Sequence, residues 1–122
     1  MNILLIEPDK LLAKTYQKAL QKSGYKVRCC SDVQTAIDLI DHKLPDVILL
    51  EIQQNNHNGI EFLYELRSYP EWQLIPIIIA SIIPEHDIGL SEYIKKQLNI
   101  KNYYYKPRLS LNKLVQAVEE AR

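Results

Sequence analysis

Three stretches of the chain are apolar without a break: Ile3-Leu4-Leu5-Ile6, Val47-Ile48-Leu49-Leu50, and Ile77-Ile78-Ile79-Ala80 after Pro76. A strand with one wet face alternates apolar and polar side chains, so unbroken runs predict strands covered on both faces, as in a parallel sheet between helices. Each run is short and ends at a polar or turn residue, which favours strand over helix. Lys26 to Ser31 and Asn102 to Tyr105 predict two further strands with weaker patterns, the second through its aromatic residues.

The intervals between these runs read as helices. From Lys10 to Ser23, Leu12, Tyr16, Ala19 and Leu20 share one arc, while Lys10, Lys14, Lys18 and Lys22 recur every four residues on the other. Asp9 is placed to cap this helix and Gly24 to end it. Asp32 predicts the cap of a second helix through His42, with Val33, Ala36, Ile37 and Ile40 inward. Gly59 to Tyr69, Glu85 to Leu98 and Leu111 to Ala121 supply three more. Strand then helix, five times over, predicts an α/β open sheet with right-handed crossovers and a single domain over residues 1–122.

Composition narrows the class. With 122 residues, 47% of them hydrophobic and 25% charged, the chain has enough apolar material for one core, which excludes disorder, collagen and coiled coil. Fifteen basic against fifteen acidic residues leave no net charge, so direct nucleic-acid binding and attraction to an acidic membrane are not expected. Cys29 and Cys30 are neighbours that point to opposite faces of one strand and cannot form an ordinary bridge, which suits a reducing compartment. No basic leader precedes the first apolar run and no apolar stretch approaches about 18 residues, so a cytoplasmic protein without a membrane span is predicted. The chain ends at Arg122, close to the end of the fifth predicted helix, so a stand-alone domain and a piece of a longer protein both remain open.

In an open α/β sheet, ligands collect beyond the carboxyl ends of the strands. Glu7 and Asp9 follow the first predicted strand, Glu51 closes the third, Ser81 closes the fourth and Lys106 follows the fifth. Polar residues thus converge on one edge of an apolar sheet.

The segments NILLIEPDKLL, PDVILLEIQQNNHNGIEFL, IPIIIAS and NYYYKP, in that order, carry a resemblance over the whole chain to the response-regulator receiver domains of two-component signalling. The resemblance implies a flavodoxin-like three-layer sandwich whose five parallel strands lie in the order 2-1-3-4-5. It also implies a phosphorylation pocket at the edge just described, where a histidine kinase delivers a phosphoryl group. Glu51 matches the phosphoryl acceptor, an aspartate in the family, and its carboxylate sits one methylene further out. Ser81 matches the hydroxyl residue that bonds the phosphoryl group, Lys106 the lysine that pairs with the acceptor and the phosphate, so that an ion pair between Glu51 and Lys106 is expected, and Tyr103 the aromatic that swings between exposed and buried positions. The Lys106-Pro107 bond is a candidate cis peptide.

Several positions depart from the family pattern. Of the two acids that hold Mg²⁺ after the first strand, Glu7 matches one, Pro8 replaces the other, and Asp9 stands one residue on, so the implied Mg²⁺ site is weakened. Ile82 replaces a very small residue and is expected to occlude entry. Asn55-Asn56-His57-Asn58 replaces a Pro-Gly turn and leaves Gly59 as the retained element. Together these features predict a degenerate, pseudo-receiver-like module that binds proteins and is not an enzyme. The expected partner is a kinase, an effector domain or a second copy, met through helix 4, strand 5 and helix 5 (Ile88 through Arg122), with Tyr93, Tyr104 and Arg108 as test residues. The competing expectation is a receiver that is still phosphorylated despite the altered pocket. A flavin or nucleotide binder would need glycine-rich turns, and none of the three glycines is so placed.

Overall fold

The structure is a computed structural model, and it describes residues 1–54 and 57–121. Along the chain run β1 (Asn2–Ile6), α1 (Lys10–Lys22), β2 (Lys26–Cys30), α2 (Val33–His42), β3 (Val47–Leu50), β4 (Gln53–Gln54), β5 (His57–Asn58), α3 (Gly59–Arg67), β6 (Ile77–Ser81), α4 (Glu85–Ile88), α5 (Glu92–Gln97), β7 (Ile100–Tyr105) and α6 (Leu111–Glu120). Short 3₁₀ turns occupy Pro70–Trp72 and Lys106–Arg108. The main sheet has the order β2-β1-β3-β6-β7 with parallel pairing throughout, and β4 and β5 form a separate two-residue hairpin. Counted along the sheet's own five strands, that order is 2-1-3-4-5, the expected flavodoxin-like topology.

The unbroken apolar runs become strands buried on both faces, because alternate side chains feed two different cores. Leu4, Ile6, Ile48, Leu50, Ile77 and Ile79 meet α2, α3 and Leu98 on one side. Ile3, Leu5, Val47, Leu49, Ile78 and Ala80 meet α1 and α6 on the other. Both expected caps form: Asp9 Oδ1 accepts the Leu12 N–H at 3.1 Å, and Asp32 Oδ1 accepts the Thr35 N–H at 2.7 Å. Cys29 and Cys30 are both free thiols, the first exposed and the second partly buried against the α2 side.

Four expectations need correction. The helix expected over 85–98 is two short helices, because Gly89 adopts the left-handed conformation (φ 72°) that ends α4 and Ser91 Oγ caps a new start by accepting the Ile94 N–H. The third helix stops at Arg67 rather than Tyr69, and Pro70 then opens a 3₁₀ turn. The last strand starts at Ile100, two residues early, because Lys101 is an extra residue between the pairs Ile77–Ile100 and Ile78–Asn102. The Lys106-Pro107 peptide is trans, with Pro107 inside the 3₁₀ turn, and no cis bond occurs among the described residues. Of the Asn55-to-Asn58 loop, Asn55 and Asn56 lie outside the described residues, as does Arg122.

Gly59 sets how the site strand connects to α3. Its N–H donates to the Ile52 carbonyl at 2.7 Å, and a Cβ built on it would lie 2.8 Å from Ile52 Cα, so no larger residue fits without moving backbone.

Candidate functional site

The parallel register brings the ends of β1, β3, β6 and β7 to one edge. Ile6 pairs with Leu50, Leu50 with Ile79, and Ser81 with Tyr105, so the next residues, Glu7, Glu51 and Lys106, meet beyond the sheet. The Glu51 N–H donates to the Ile6 carbonyl at 3.0 Å and fixes the acceptor position beside the first strand.

Glu7 and Glu51 are both buried, and one ammonium serves both. Lys106 Nζ lies 2.5 Å from Glu7 Oε1 and 2.8 Å from Glu51 Oε1, and the lysine side chain is itself only 8% exposed. Backbone donors hold the carboxylates from the other directions. Glu7 Oε2 accepts the Asp9 N–H at 3.1 Å, Glu51 Oε2 accepts the Gln53 N–H at 3.0 Å, and Glu51 Oε1 also accepts the Ile82 N–H at 3.0 Å. Gln54, buried beside them, donates its side-chain amide to the Glu51 carbonyl. Neither glutamine carried a sequence signal, since polar residues after a strand read as an ordinary loop.

The loop after β6 is tied to the same groups. Ser81, fully buried, accepts the Ile83 N–H on its Oγ at 3.0 Å, and the Tyr103 hydroxyl donates to the Ile83 carbonyl at 2.6 Å. Tyr103 is therefore half-buried with its hydroxyl turned toward the pocket. Its pKa is pushed up to about 12, first by burial, so it remains a donor at neutral pH. The loop's three consecutive residues 81–83 are thus bonded to Glu51 and Tyr103 or among themselves. Ile82 lines the cleft together with Glu7, Glu51 and Lys106 and is 53% exposed, which puts it at the mouth of the cleft.

The residues present do not suit Mg²⁺. Pro8 offers no ligand, Asp9 Oδ1 caps α1, and each oxygen of Glu7 and Glu51 already accepts a hydrogen bond or ion pair. Among the described residues no group of three or more His, Cys, Asp or Glu side chains is arranged to hold a metal.

Burial is the largest influence on Glu7 and raises its pKa above 4.5, outweighing the opposing hydrogen bonds from Lys106 and the Asp9 N–H. A carboxyl group whose folded pKa is raised favours folding when protonated, and that advantage is lost as pH rises from the unfolded value through the raised one. Glu7→Gln cannot ionise, so its stability relative to the wild type is expected to improve as pH rises above about 4.5. Urea titrations across that window check this; a difference independent of pH would contradict it.

The chain belongs to the response regulator receiver domain family, whose model matches residues 3–119. It is 25% identical over 119 residues to the KDP operon transcriptional regulatory protein KdpE of Escherichia coli (strain K12), covering 92% of this chain and 52% of that protein. The chain thus spans about half the length of that relative. Among solved structures, the Vibrio cholerae chemotaxis protein CheY4 superposes with a TM-score of 0.86 at 17% identity, covering 99% of this chain and 98% of that one. A two-component response regulator from Clostridium difficile gives 0.84 at 23% identity, covering 99% and 94%. These two likenesses establish the CheY-like fold. No helix among the described residues is long and apolar enough to cross a membrane.

Proposed function

We propose that this receiver domain, taken as one unit over residues 1–122, works as a latched interaction module and not as a phosphoryl acceptor or an enzyme. The observation that carries this reading is the engagement of Glu51. Attack on a phosphodonor requires a carboxylate oxygen free to approach phosphorus in line. Here Oε1 holds both Lys106 and the Ile82 N–H, and Oε2 holds the Gln53 N–H. A displacement of about 1 Å from productive geometry costs on the order of a hundredfold in rate, and the extra methylene of glutamate is itself of that size. The loop after β6 is bonded to the same carboxylate through the Ile82 N–H, and its Ile83 carbonyl accepts the Tyr103 hydroxyl, so Glu51 occupies the lysine and the loop N–H that a phosphoryl group would otherwise engage. The competing reading, phosphorylation by a histidine kinase, draws on Ser81 and Lys106 being in place.

The partner surface in this reading is α4, α5, β7 and α6, facing a kinase, an effector domain or a second copy in the cytoplasm. Tyr93 is 68% exposed and Arg108 is exposed, whereas Tyr104 is half-buried against the α1 and α6 core with Lys113 Nζ 5.9 Å from its ring centre. Tyr93 and Arg108 are therefore the side chains free to bind. Replacing both by alanine is expected to weaken association by about tenfold or more, since exposed aromatic and arginine residues dominate interface energies. Analytical ultracentrifugation for self-association and affinity for a cognate kinase or effector domain check this; unchanged values in both would place the interface elsewhere.

A further inference from the structure

We propose that this domain associates head to tail with further copies of itself, the acidic face of α3 in one copy seating in the basic groove between α1 and α6 of the next. α1, with the sequence KLLAKTYQKALQK, carries four lysines and no acid. Lys10, Lys14, Lys18 and Lys22 are all exposed, and no ion pair among the described residues engages any of them. Like charges at i,i+4 destabilise a helix, so this row gains from an anion brought from outside. Beside the row lies a groove of about 490 Å³ whose walls include Thr15, Lys18, Ala19, Lys22, Leu111 and Val115. Thr15 and Ala19 are small and leave it room for an incoming side chain. Leu11 and Leu111, 77% and 40% exposed, add apolar surface at the first turns of α1 and α6.

The chain itself carries a matching occupant. α3 packs Phe62, Leu63 and Leu66 into the core on the other side of the sheet from α1 and α6. Its outward stripe is Glu61, Tyr64 and Glu65, at i, i+3 and i+4. Arg67, the only cation of α3, is turned onto backbone carbonyls, so nothing on the helix neutralises that stripe. A helix rises about 1.5 Å per residue, so Glu61 to Glu65 repeats the spacing of Lys14 to Lys18, about 6 Å along the axis. Tyr64, 51% exposed between the two acids, is an aromatic anchor for the groove. With no net charge on the chain, no overall repulsion keeps copies apart. Because the two faces lie on opposite layers of the sandwich, the contact is heterologous, and each added copy leaves one face free for the next. Tyr93 and Arg108 take no part in it, so the inference stands apart from the latched reading and its partner surface.

The test is sedimentation velocity of the intact chain from micromolar to millimolar concentration, in low salt and in half-molar NaCl. The wild type is expected to sediment faster as concentration rises in low salt, with the association weakened about tenfold or more in high salt, where charges are screened. Lys14→Glu with Lys18→Glu makes both faces acidic, and Glu61→Lys with Glu65→Lys makes both basic. Each double variant alone is expected to stay monomeric in low salt, and an equimolar mixture of the two is expected to associate again, since every contact then joins opposite charges. Thermal unfolding of each double variant checks that it is folded; if either is not, Lys14→Gln with Lys18→Gln and, separately, Tyr64→Ala are measured in its place, each expected to weaken association about tenfold. A wild type that stays monomeric throughout in low salt would overturn the proposal, as would association indifferent to salt or a mixture of folded variants that stays monomeric. Association that survives both charge reversals and is lost with Tyr93→Ala and Arg108→Ala would overturn it too, and would place self-association on the α4, α5, β7 and α6 surface.

Discussion

Replacing Lys106 with methionine is expected to lower the unfolding free energy by about 3–5 kcal/mol at neutral pH in metal-free buffer, the range for stranding a buried charge whose partner is removed. Two carboxylates are stranded here, since the lysine bonds both Glu7 and Glu51. The backbone donors around them reduce the loss without removing it. A double-mutant cycle between Lys106→Met and Glu51→Gln isolates the pair, and a coupling of about 1–3 kcal/mol is expected for groups in direct contact. Glu7 continues to hold the lysine in the Glu51→Gln background, so the coupling is smaller than the loss from the single lysine replacement. Coupling indistinguishable from zero would mean that the acceptor position and the lysine do not act together.

The second large effect lies outside the pocket. Arg67, the last residue of α3, spreads its guanidinium over three carbonyls. Nε and Nη2 bond Leu98 O, Nη1 bonds Trp72 O at 2.7 Å, and Nη2 bonds Ile75 O at 2.8 Å. One side chain thereby fastens α3, the 3₁₀ turn at Pro70–Trp72, the approach to β6 and the end of α5. Burial lowers its pKa to about 10, which leaves it charged at neutral pH. Charge-assisted hydrogen bonds to backbone contribute about 1.5–3 kcal/mol each and are not additive, so Arg67→Ala is expected to cost about 2–4 kcal/mol. Arg67→Lys should recover only part of this, because a single ammonium cannot present the guanidinium's planar fan of donors. Full stability of the lysine variant in urea unfolding would show that charge, not geometry, matters at this junction.

How much of this the sequence makes legible depends on where the information is stored. β1, β3 and β6 are legible because burial on both faces leaves no choice of residue type. β2 is an edge strand with mixed exposure, and β7 carries an extra residue at Lys101, so both give weak patterns. The break between α4 and α5 had a signal, Gly89 followed by Ser91, which reads as a helix stop and then a cap; the apolar positions Ile88, Ile94 and Leu98 conceal it by continuing across. The β4–β5 hairpin is too short and too polar to register. In the pocket, Glu7, Glu51, Ser81, Tyr103 and Lys106 are named by the sequence and brought together by the fold. The sharing of one lysine between two acids was not legible, because it depends on side-chain reach. The expected pairing of Glu51 with Lys106 is present, whereas the part played by Glu7 and by the N–H groups of Gln53 and Ile82 comes from tertiary geometry alone.

Intact-protein mass spectrometry after incubation with acetyl phosphate and Mg²⁺ tests the latched pocket most directly. The wild type is expected to keep its mass, and Glu51→Asp is expected to keep its own, since Pro8 and Ile82 remain in both. A stoichiometric phosphoryl increment on the wild type that disappears in Glu51→Gln would contradict the latched pocket and make this chain a working phosphoryl acceptor.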